Sequence, residues 1–423
     1  EIPPLRAPDE IERIDIIVTR GDVFRFERAR VAPLPRGTEL PEDFALRKRA
    51  KGDLISRATR TGIDAWRDAG HAKTRVAGQD IVADHARNRM SAEVTLDPGP
   101  RLRFGDLVIQ PGDSPSAVRE GRIRAIAGLP TGEVYSPEDQ ADAANRLRRT
   151  GAFSSVVIQE AETPNADGTL DMETRVADAK PRRIGAGAEL SSQEGLTLSG
   201  FWLHRNLLGG AERLRIEADI TGLAGTTGGI DYGLTASFLR PATFRSDTDF
   251  YADLAIEQRD DPQFVERRIM VEAGFIRRIR DEAVVELGLG YRAGEVEDSQ
   301  GTRRYQVLTL PIAGTRDRRN NEFDATSGYY AHLEIMPFLG LADSGNGVRV
   351  YGDGRVYRSF GAEDHVTLAL RGQAGAVWGA QAVDVPASFL FFSGGGGTVR
   401  GQPFQSLAVD LGGGNEIVGG IWT

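Results

Sequence analysis

The residues best suited to chemistry lie in the stretch FFSGGGGTVRGQPFQS, residues 391–406. Arg400 stands between Val399 and Gly401, shortly after four consecutive glycines, Gly394, Gly395, Gly396 and Gly397. The stretch could be a phosphate-binding loop, a flexible linker or a rigid loop that holds Arg400 against a partner. A phosphate-binding loop requires Gly-Lys-Ser/Thr at the start of a helix, and neither follows here. The aromatic, strand-like segments on both sides argue against a linker.

Other residue types that support catalysis are too scattered to form a site. The five histidines form neither an HExxH motif nor an i,i+4 pair, so metal catalysis is not expected. The sequence GDSPS departs from the Gly-x-Ser-x-Gly of serine hydrolases. Asp247, Asp249 and Asp253 could suit calcium, but acids on one face of a strand are the simpler interpretation. We therefore expect no enzyme activity, no catalytic residue, no metal and no cofactor.

Composition sets the broad class of the protein. The chain has 423 residues, 51 glycines, no cysteine and 40% hydrophobic residues, so it can form two or three domains with real cores and no disulfide framework. A net charge of −9 argues against nucleic acid as a partner. The chain begins without Met and without a signal peptide, as a trimmed exported precursor would.

The first 180 residues contain a repeat. IVTRGDVFRFERARV (17–31) aligns with TLDPGPRLRFGDLVI (95–109), and AWRDAGHAKTRV (65–76) aligns with RLRRTGAFSSVV (146–157). Each copy reads as a strand, helical sequence, a glycine stop and two strands. In the second copy Ser136 is a good N-cap, and Ala141, Ala144 and Leu147 form an apolar stripe.

This repeat predicts small α+β modules. We expect modules at 23–100 and 101–180, and residues 1–22 as the tail of a preceding one. An enzyme core is the alternative, but these residues contain no catalytic set.

From Arg182 onward the hydrophobic pattern has period two. Phe250, Ala252, Leu254 and Ile256 share one strand face, and similar sets recur up to residue 374. About twelve strands of about 9–14 residues are predicted. In a soluble sandwich or propeller the apolar face would be the core, whereas in an outer-membrane barrel it would contact lipid. The strand length favours the barrel, because strands of globular proteins average only about 5–6 residues.

Four motifs in sequential order resemble one family, the TamA/BamA superfamily of outer-membrane assembly factors (the bacterial surface antigen family). They are YSPEDQADAANRLRRTGAFSSV (135–156), WLHRNLLGGAERLRIEADI (202–220), GTRDRRNNEFDATSGYYAHLEI (314–335) and VRGQPFQSL (399–407). The 80-residue modules resemble its POTRA domains, and their number resembles the TamA branch more than the BamA branch. The resemblance implies α+β POTRA modules followed by an all-β antiparallel transmembrane barrel at 181–423.

The resemblance also implies roles for individual residues. Val399, Arg400 and Gly401 would form a latch inside the barrel, with Gly394 to Gly397 letting the loop enter the lumen. Asp317, Arg318 and Gly328 would belong to the family's strand-loop-strand segment. Gly185 and Gly187 would lie in the first barrel strand, where they permit loose pairing at a seam or only relieve crowding. Departures from the family pattern are Gln402, Ala325 and Trp422.

A family barrel has about 16 strands, so we expect about 12 of them here, in a fragment that does not close. The wall partner of Arg400 is then expected beyond Thr423. The implied function is insertion or secretion of outer-membrane β-barrel proteins such as autotransporters, with a BamA-like insertase or a two-partner secretion pore as alternatives. The implied partners are unfolded client proteins, outer-membrane lipids and an inner-membrane-anchored TamB-like protein. The implied location is the bacterial outer membrane, with the POTRA domains in the periplasm.

Overall fold

A computed structural model gives the fold of the chain. It describes residues 22–112, 114–191, 195–225, 229–261, 264–279, 282–298, 301–342, 344–361, 365–394, 399–402, 407–412, 415–418 and 420–421. Among these residues, no helix is both long enough and apolar enough to span a membrane. The expected module tail at 1–22 lies outside the described residues, apart from Asp22.

The chain divides into two compact units. The first comprises Glu1–Asp106, Pro130–Asp139 and Glu160–Asp171, and the second comprises Leu107–Leu129, Gln140–Gln159 and Met172–Thr423. This division groups residues by contact, and the boundaries expected at 23, 101 and 181 stay predictions.

The first α+β module has one helix and a three-stranded sheet of order β1-β3-β2. Strands β1 and β3 are parallel, and β2 pairs antiparallel with β3. Helix α1 presents Leu54, Ile55 and Ala58 as its buried side. The elements are β1 (Arg25–Ala32), α1 (Gly52–Asp68), β2 (Arg75–Asp84) and β3 (Arg89–Asp97).

The second module repeats this strand order as β4-β6-β5. Phe26 of the first module and Phe104 of the second, which the repeat aligns, are both fully buried. Ser136 Oγ accepts a hydrogen bond from the Asp139 amide, as expected of an N-cap. The elements are β4 (Arg103–Ile109), α2 (Glu120–Ala127), α3 (Pro137–Arg149), β5 (Phe153–Glu160) and β6 (Thr169–Asp178).

The apolar stripe of α3 differs from the expected one by one residue. Ala143, Ala144 and Leu147 are buried, whereas Ala141 is exposed. Neighbouring positions 143 and 144 lie on the same side of the helix because its buried arc spans more than 100°.

The second unit contains a twelve-stranded antiparallel sheet in sequential order, with β7 and β18 at its edges. Its strands are β7 (Arg182–Ser191), β8 (Gly195–His204), β9 (Arg213–Leu223), β10 (Asp231–Arg240), β11 (Thr248–Asp261), β12 (Phe264–Ile279), β13 (Ala283–Asp298), β14 (Gly301–Thr309), β15 (Ile312–Asp317), β16 (Ser327–Leu341), β17 (Gly347–Phe360) and β18 (Val366–Trp378). A separate hairpin follows, formed by β19 (Ala408–Gly412) and β20 (Asn415–Val418).

Strands β14 and β15 form one row of the sheet, because both pair with β13 and both pair with β16. Pro311 lacks an amide hydrogen and interrupts the row between them. Ladder contacts continue across the break, since Gly288 donates to the Pro311 carbonyl and Leu310 donates to that of Pro337. The twelve strands therefore form eleven rows.

The sheet has one apolar and one polar face, as the period-two pattern predicts. Its apolar face, here called the outer face, exposes large aliphatic side chains along the middle of the strands. Its polar face, here called the inner face, carries arginines and acids. Outer-face examples are Leu254, Ile256, Ile269, Val271, Leu287, Leu289, Leu333, Leu368 and Leu370.

The two ends of the sheet are distinguished by helix α2. The Arg119 amide, next to α2, donates to the Gly209 carbonyl in the turn between β8 and β9. We call this the proximal end and the opposite one the distal end.

Candidate functional site on the inner sheet face

The chain beyond β18 lies against the inner face of the sheet. Residues 379–394, here called the inner segment, contain two short 3₁₀ turns, Ala382–Asp384 and Ala387–Phe389. The segment and the strands share a buried apolar cluster that contains Val296, Tyr305, Val307, Met336, Phe338, Val377, Val385, Ala387 and Phe389. The glycine-rich stretch is therefore preceded by a packed anchor.

Arg349 of β17 contacts the inner segment at two residues. Its Nε donates to the Phe389 carbonyl at 3.2 Å, and its guanidinium lies 4.8 Å from the centre of the Phe391 ring. Its Nη1 also pairs with Glu334 Oε1 at 2.9 Å, so the adjacent strand fixes the direction of the arginine. Arg349 therefore holds the backbone of the segment by a hydrogen bond and one of its aromatic rings by a cation–π contact.

Arg292 of β13 makes a similar contact from the other side. Its guanidinium lies 5.4 Å from the centre of the Phe389 ring, and it pairs with Glu272 of β12 at 3.6 Å. Phe389 is fully buried, between Arg292 and the ring of Phe338 at 5.1 Å. The inner segment is thus held by arginines whose own positions depend on acids of neighbouring strands.

Two further aromatic contacts hold the end of the inner segment, just before the glycines. Phe391 stacks on Tyr351 of β17, and Phe392 stacks on Phe264 of β12. Gly375 leaves room for Phe391, because a Cβ at Gly375 would lie 2.5 Å from that ring.

The candidate latch lies immediately beyond this anchor. Gly394 is buried with φ of 114°, whereas Val399 and Arg400 are exposed. Gly395, Gly396 and Gly397 lie outside the described residues. Within the described part of the chain, the Arg400 side chain has no hydrogen-bond or ion-pair partner. The latch role of Val399, Arg400 and Gly401 therefore stays a prediction.

The strand-loop motif forms a compact cluster at the proximal end of β15 and β16. Gly328 has φ of 102°, and a Cβ there would lie 2.0 Å from the Arg318 carbonyl oxygen. Asp317 pairs with Arg319, at 2.9 Å from Nε to Oδ1, whereas Arg318 pairs with Glu282. Arg319, which the sequence analysis did not select, is thus the arginine that completes the motif.

A signal for Arg319 was available in the sequence. Side chains two residues apart lie on the same face of a strand, so the side chain at 319 follows that of Asp317 on one face. Arg318 points to the opposite face and meets an acid of the neighbouring turn. No equivalent signal singles out Arg292 and Arg349 from the other polar-face arginines.

The first strand of the sheet, β7, has one unpaired edge in the described structure. It pairs with β8 in unbroken register from Arg182 with His204 to Ser191 with Gly195. A Cβ at Gly185 would lie 2.3 Å from the Phe201 ring, and one at Gly187 would lie 2.9 Å from Ser199 Oγ. Relief of crowding therefore explains Gly185, and a seam role for the two glycines stays a prediction.

Two of the three acids considered for calcium are held by arginines. Asp247 pairs with Arg277, and Asp249 pairs with Arg278. In the described ranges, no three His, Asp or Glu side chains are placed to hold a metal ion.

Comparison with known proteins shows the family. Residues 206–421 match the Omp85 superfamily domain. The chain belongs to the Omp85 superfamily. Membership confirms the resemblance to the TamA/BamA superfamily and the expected fold class, and it places this Omp85 protein among outer-membrane factors of protein assembly or secretion. No curated protein matches the chain.

Solved structures with the same fold include two distant relatives of this Omp85 protein. BamA from Haemophilus ducreyi lacking POTRA domains 1–3 is 16% identical, with a TM-score of 0.65, over 91% of this chain and 77% of that one. CdiB from Acinetobacter baumannii is 10% identical, with a TM-score of 0.53, over 92% of this chain and 74% of that one. At these identities the likeness concerns the fold alone.

Proposed function

We propose that this protein is a TamA-like factor that inserts or secretes outer-membrane β-barrel proteins such as autotransporters. In this proposal the sheet lies in the bacterial outer membrane and the two α+β modules are POTRA domains in the periplasm. The step is physical, because pairing of a client strand forms hydrogen bonds and breaks no covalent bond. The protein would therefore need neither a catalytic residue nor a cofactor.

The observation that carries the proposal is the edge strand β7. Ile184 and Leu190 on its outer side are 78% and 82% exposed, so the strand presents both an apolar side and an open backbone edge. Backbone groups on such an edge find no water in lipid, and pairing with an incoming client strand would satisfy them. Gly185 and Gly187 would keep that pairing weak enough to exchange.

The first module offers a second edge for extended chains. Strand β2 lies at the edge of its sheet and is exposed along nearly its whole length, with Val82 55% exposed. An unfolded client, or an inner-membrane-anchored TamB-like partner, could add a strand there by backbone pairing.

The inner segment would support these steps by keeping its loop inside the barrel. Arg349 and Arg292 anchor residues 389–391, and the loop that follows would place Arg400 against a carboxylate of the wall. Gly394 to Gly397 would allow the required turn, and Val399 and Gly401 would flank the latch.

Site-specific crosslinking tests the function. A photo-reactive residue at Leu190, on β7, should capture a co-expressed autotransporter client, whereas one at Leu289, on the central strand β13, should not. Both positions lie on the outer face and are exposed, so they differ mainly in access to a free edge. Equal capture at the two positions, or none at either, would contradict the proposal.

The alternatives predict different depletion phenotypes. Depletion of a TamA-like factor should reduce a subset of surface proteins, whereas depletion of a BamA-like insertase should reduce outer-membrane barrels in general. Depletion of a two-partner secretion pore should abolish release of a single exoprotein. Quantitative proteomics of outer-membrane and secreted fractions distinguishes the three outcomes.

A further inference from the structure

A cavity of about 180 Å³ lies at the proximal end of the sheet. It is bounded by the ends of helices α2 and α3, by the starts of β9 and β11, and by the turn between β10 and β11. All of its lining residues belong to the second unit. The uncharged part of the lining is Ile126, Thr150, Ala211, Leu239, Pro241 and Ser246.

The charged lining of this cavity is strongly basic. It contains Arg146, Arg149, Arg213 and Arg278, with Asp249 as the acidic member. Asp249 is bound to Arg278, so its charge is already matched within the lining. The lining therefore contains more basic than acidic side chains, four arginines and one aspartate.

Two of the basic side chains differ in how they are held. Arg146 Nε donates to the Ala127 carbonyl at 2.8 Å, which fixes its guanidinium at the C-terminal end of α2. The Arg213 side chain has no hydrogen-bond or ion-pair partner among the residues that the structure describes. The cavity therefore combines a pre-positioned guanidinium with one that is available to a ligand.

Nearby backbone carbonyls are already used by a fifth arginine. Arg122 of α2 donates to the carbonyls of Pro241 and Ala242, at 2.5 and 3.3 Å. Burial lowers the pKa of Arg122, repulsion from Arg240 lowers it further, and attraction by Glu212 opposes both effects. The turn between β10 and β11 thus offers fewer free acceptors to the arginines of the cavity.

We propose that this cavity binds a phosphate group. Guanidinium groups bind phosphate through paired, charge-assisted hydrogen bonds. The volume is well above the roughly 10–15 Å³ that one buried water needs, and it is below the range of about 300–1,000 Å³ typical of pockets for larger ligands. It therefore suits a small group such as phosphate. The phosphate could belong to a phospholipid head group or to a free phosphate ion.

Titration of the full chain in a neutral detergent tests this proposal. Inorganic phosphate and a short-chain phosphatidylglycerol are added separately, with short-chain phosphatidylcholine as the zwitterionic comparison, and binding is followed by calorimetry. The variant is Arg213→Gln, which keeps most of the side-chain volume. The matched control is Arg259→Gln, an exposed arginine of β11 at the distal end.

Saturable binding of at least one anionic probe is expected, weakened about tenfold in Arg213→Gln, as for loss of a charged hydrogen bond, and unchanged in Arg259→Gln. Binding of phosphatidylglycerol alone identifies a lipid head group, and binding of inorganic phosphate identifies a free anion. Absence of saturable binding would overturn the proposal, as would equal affinities for the two variants. Far-ultraviolet circular dichroism of each variant confirms that it is folded.

Discussion

At the scale of single residues, the inner segment depends on a few charged side chains that act on its backbone and rings. Arg349 reaches Glu334, the Phe389 carbonyl and the Phe391 ring at once. Removal of Arg349 would therefore leave Glu334 without its partner and also release the inner segment. Its effect should therefore appear in the mobility of the segment as well as in stability.

Replacement of Arg349 by Met is predicted to loosen the inner segment. The charged hydrogen bonds to Glu334 and Phe389 are lost while the side-chain volume is largely kept, so the free energy of unfolding should fall by about 2 kcal/mol. Protease cleavage within 379–394 should become faster in the variant. Arg358→Met, on the outer face of the same strand, serves as the control, and equal cleavage rates in the two variants would refute the anchoring role.

Gly328 is predicted to tolerate no side chain. Its φ of 102° and the 2.0 Å approach of the Arg318 carbonyl mean that Gly328→Ala must distort the β15–β16 turn. A loss of about 1–3 kcal/mol is expected, measured as a shift in the urea midpoint of the refolded protein. Gly354→Ala, where a Cβ would meet nothing within 4 Å, should leave the midpoint nearly unchanged.

At the scale of elements, the first unit is braced by contacts to Glu160 at the end of β5. Its carboxylate accepts from Arg67 of α1 and from the Tyr135 hydroxyl at 2.7 Å, and Lys73 lies 3.5 Å away. The side chain of Glu160 is only 13% exposed, so these interactions are weakly screened. One acid thus joins a helix of the first module to a strand of the second.

Glu160→Gln is predicted to lower the stability of the first unit by about 2 kcal/mol, because both cations lose their charged partner in a partly buried place. Thermal unfolding of the full chain measures the change. Glu162→Gln, an exposed position two residues away, is the control. The brace is refuted if the two variants unfold at the same temperature.

The same contact predicts a pH dependence. Burial, and then the hydrogen bond to Glu160, raise the pKa of Tyr135 above its ordinary value of 10.0. The folded state therefore keeps a proton that the unfolded chain releases, so the stabilisation is complete below about pH 10 and declines as the pH rises further. Unfolding measured from pH 8 to 11 should show a steeper decline in the native sequence than in Tyr135→Phe.

At the scale of the whole molecule, the two faces of the sheet suit opposite environments. The outer face is apolar and the inner face is polar. Leu289 on the outer face is 63% exposed, whereas the inner face buries Phe389 and pairs Glu272 and Glu334 with arginines. This polarity is that of a sheet with lipid outside and water inside. It is the reverse of a soluble sandwich, in which large exposed aliphatic rows would promote aggregation.

Leu289→Arg is predicted to destabilise the protein in lipid vesicles by about 2–4 kcal/mol, the range for a charge near the bilayer midplane. Thr235→Arg, on the inner face of β10, should have a much smaller effect because the new charge remains hydrated. Denaturant unfolding in vesicles measures both variants. Similar losses for the two substitutions would contradict the assignment of the faces.

The amino-acid sequence alone determined the local patterns. Period-two alternation specified the strands and their apolar face, since successive side chains point to opposite sides. The aligned pairs Phe26 with Phe104 and Gly70 with Gly151 revealed the repeat. The two phenylalanines are both buried in a core, and the two glycines both end a helix with positive φ.

Only the tertiary structure decided which of several chemically equal residues meet. Arg292 and Arg349 resemble the other inner-face arginines in sequence, yet these two lie against the rings of Phe389 and Phe391. Arg319 rather than Arg318 completes the motif with Asp317. The basic cavity likewise joins helices and turns more than 100 residues apart. Such contacts depend on the register of the strands and on where the following loop packs. Both are set by packing over the whole sheet, which no local sequence pattern specifies.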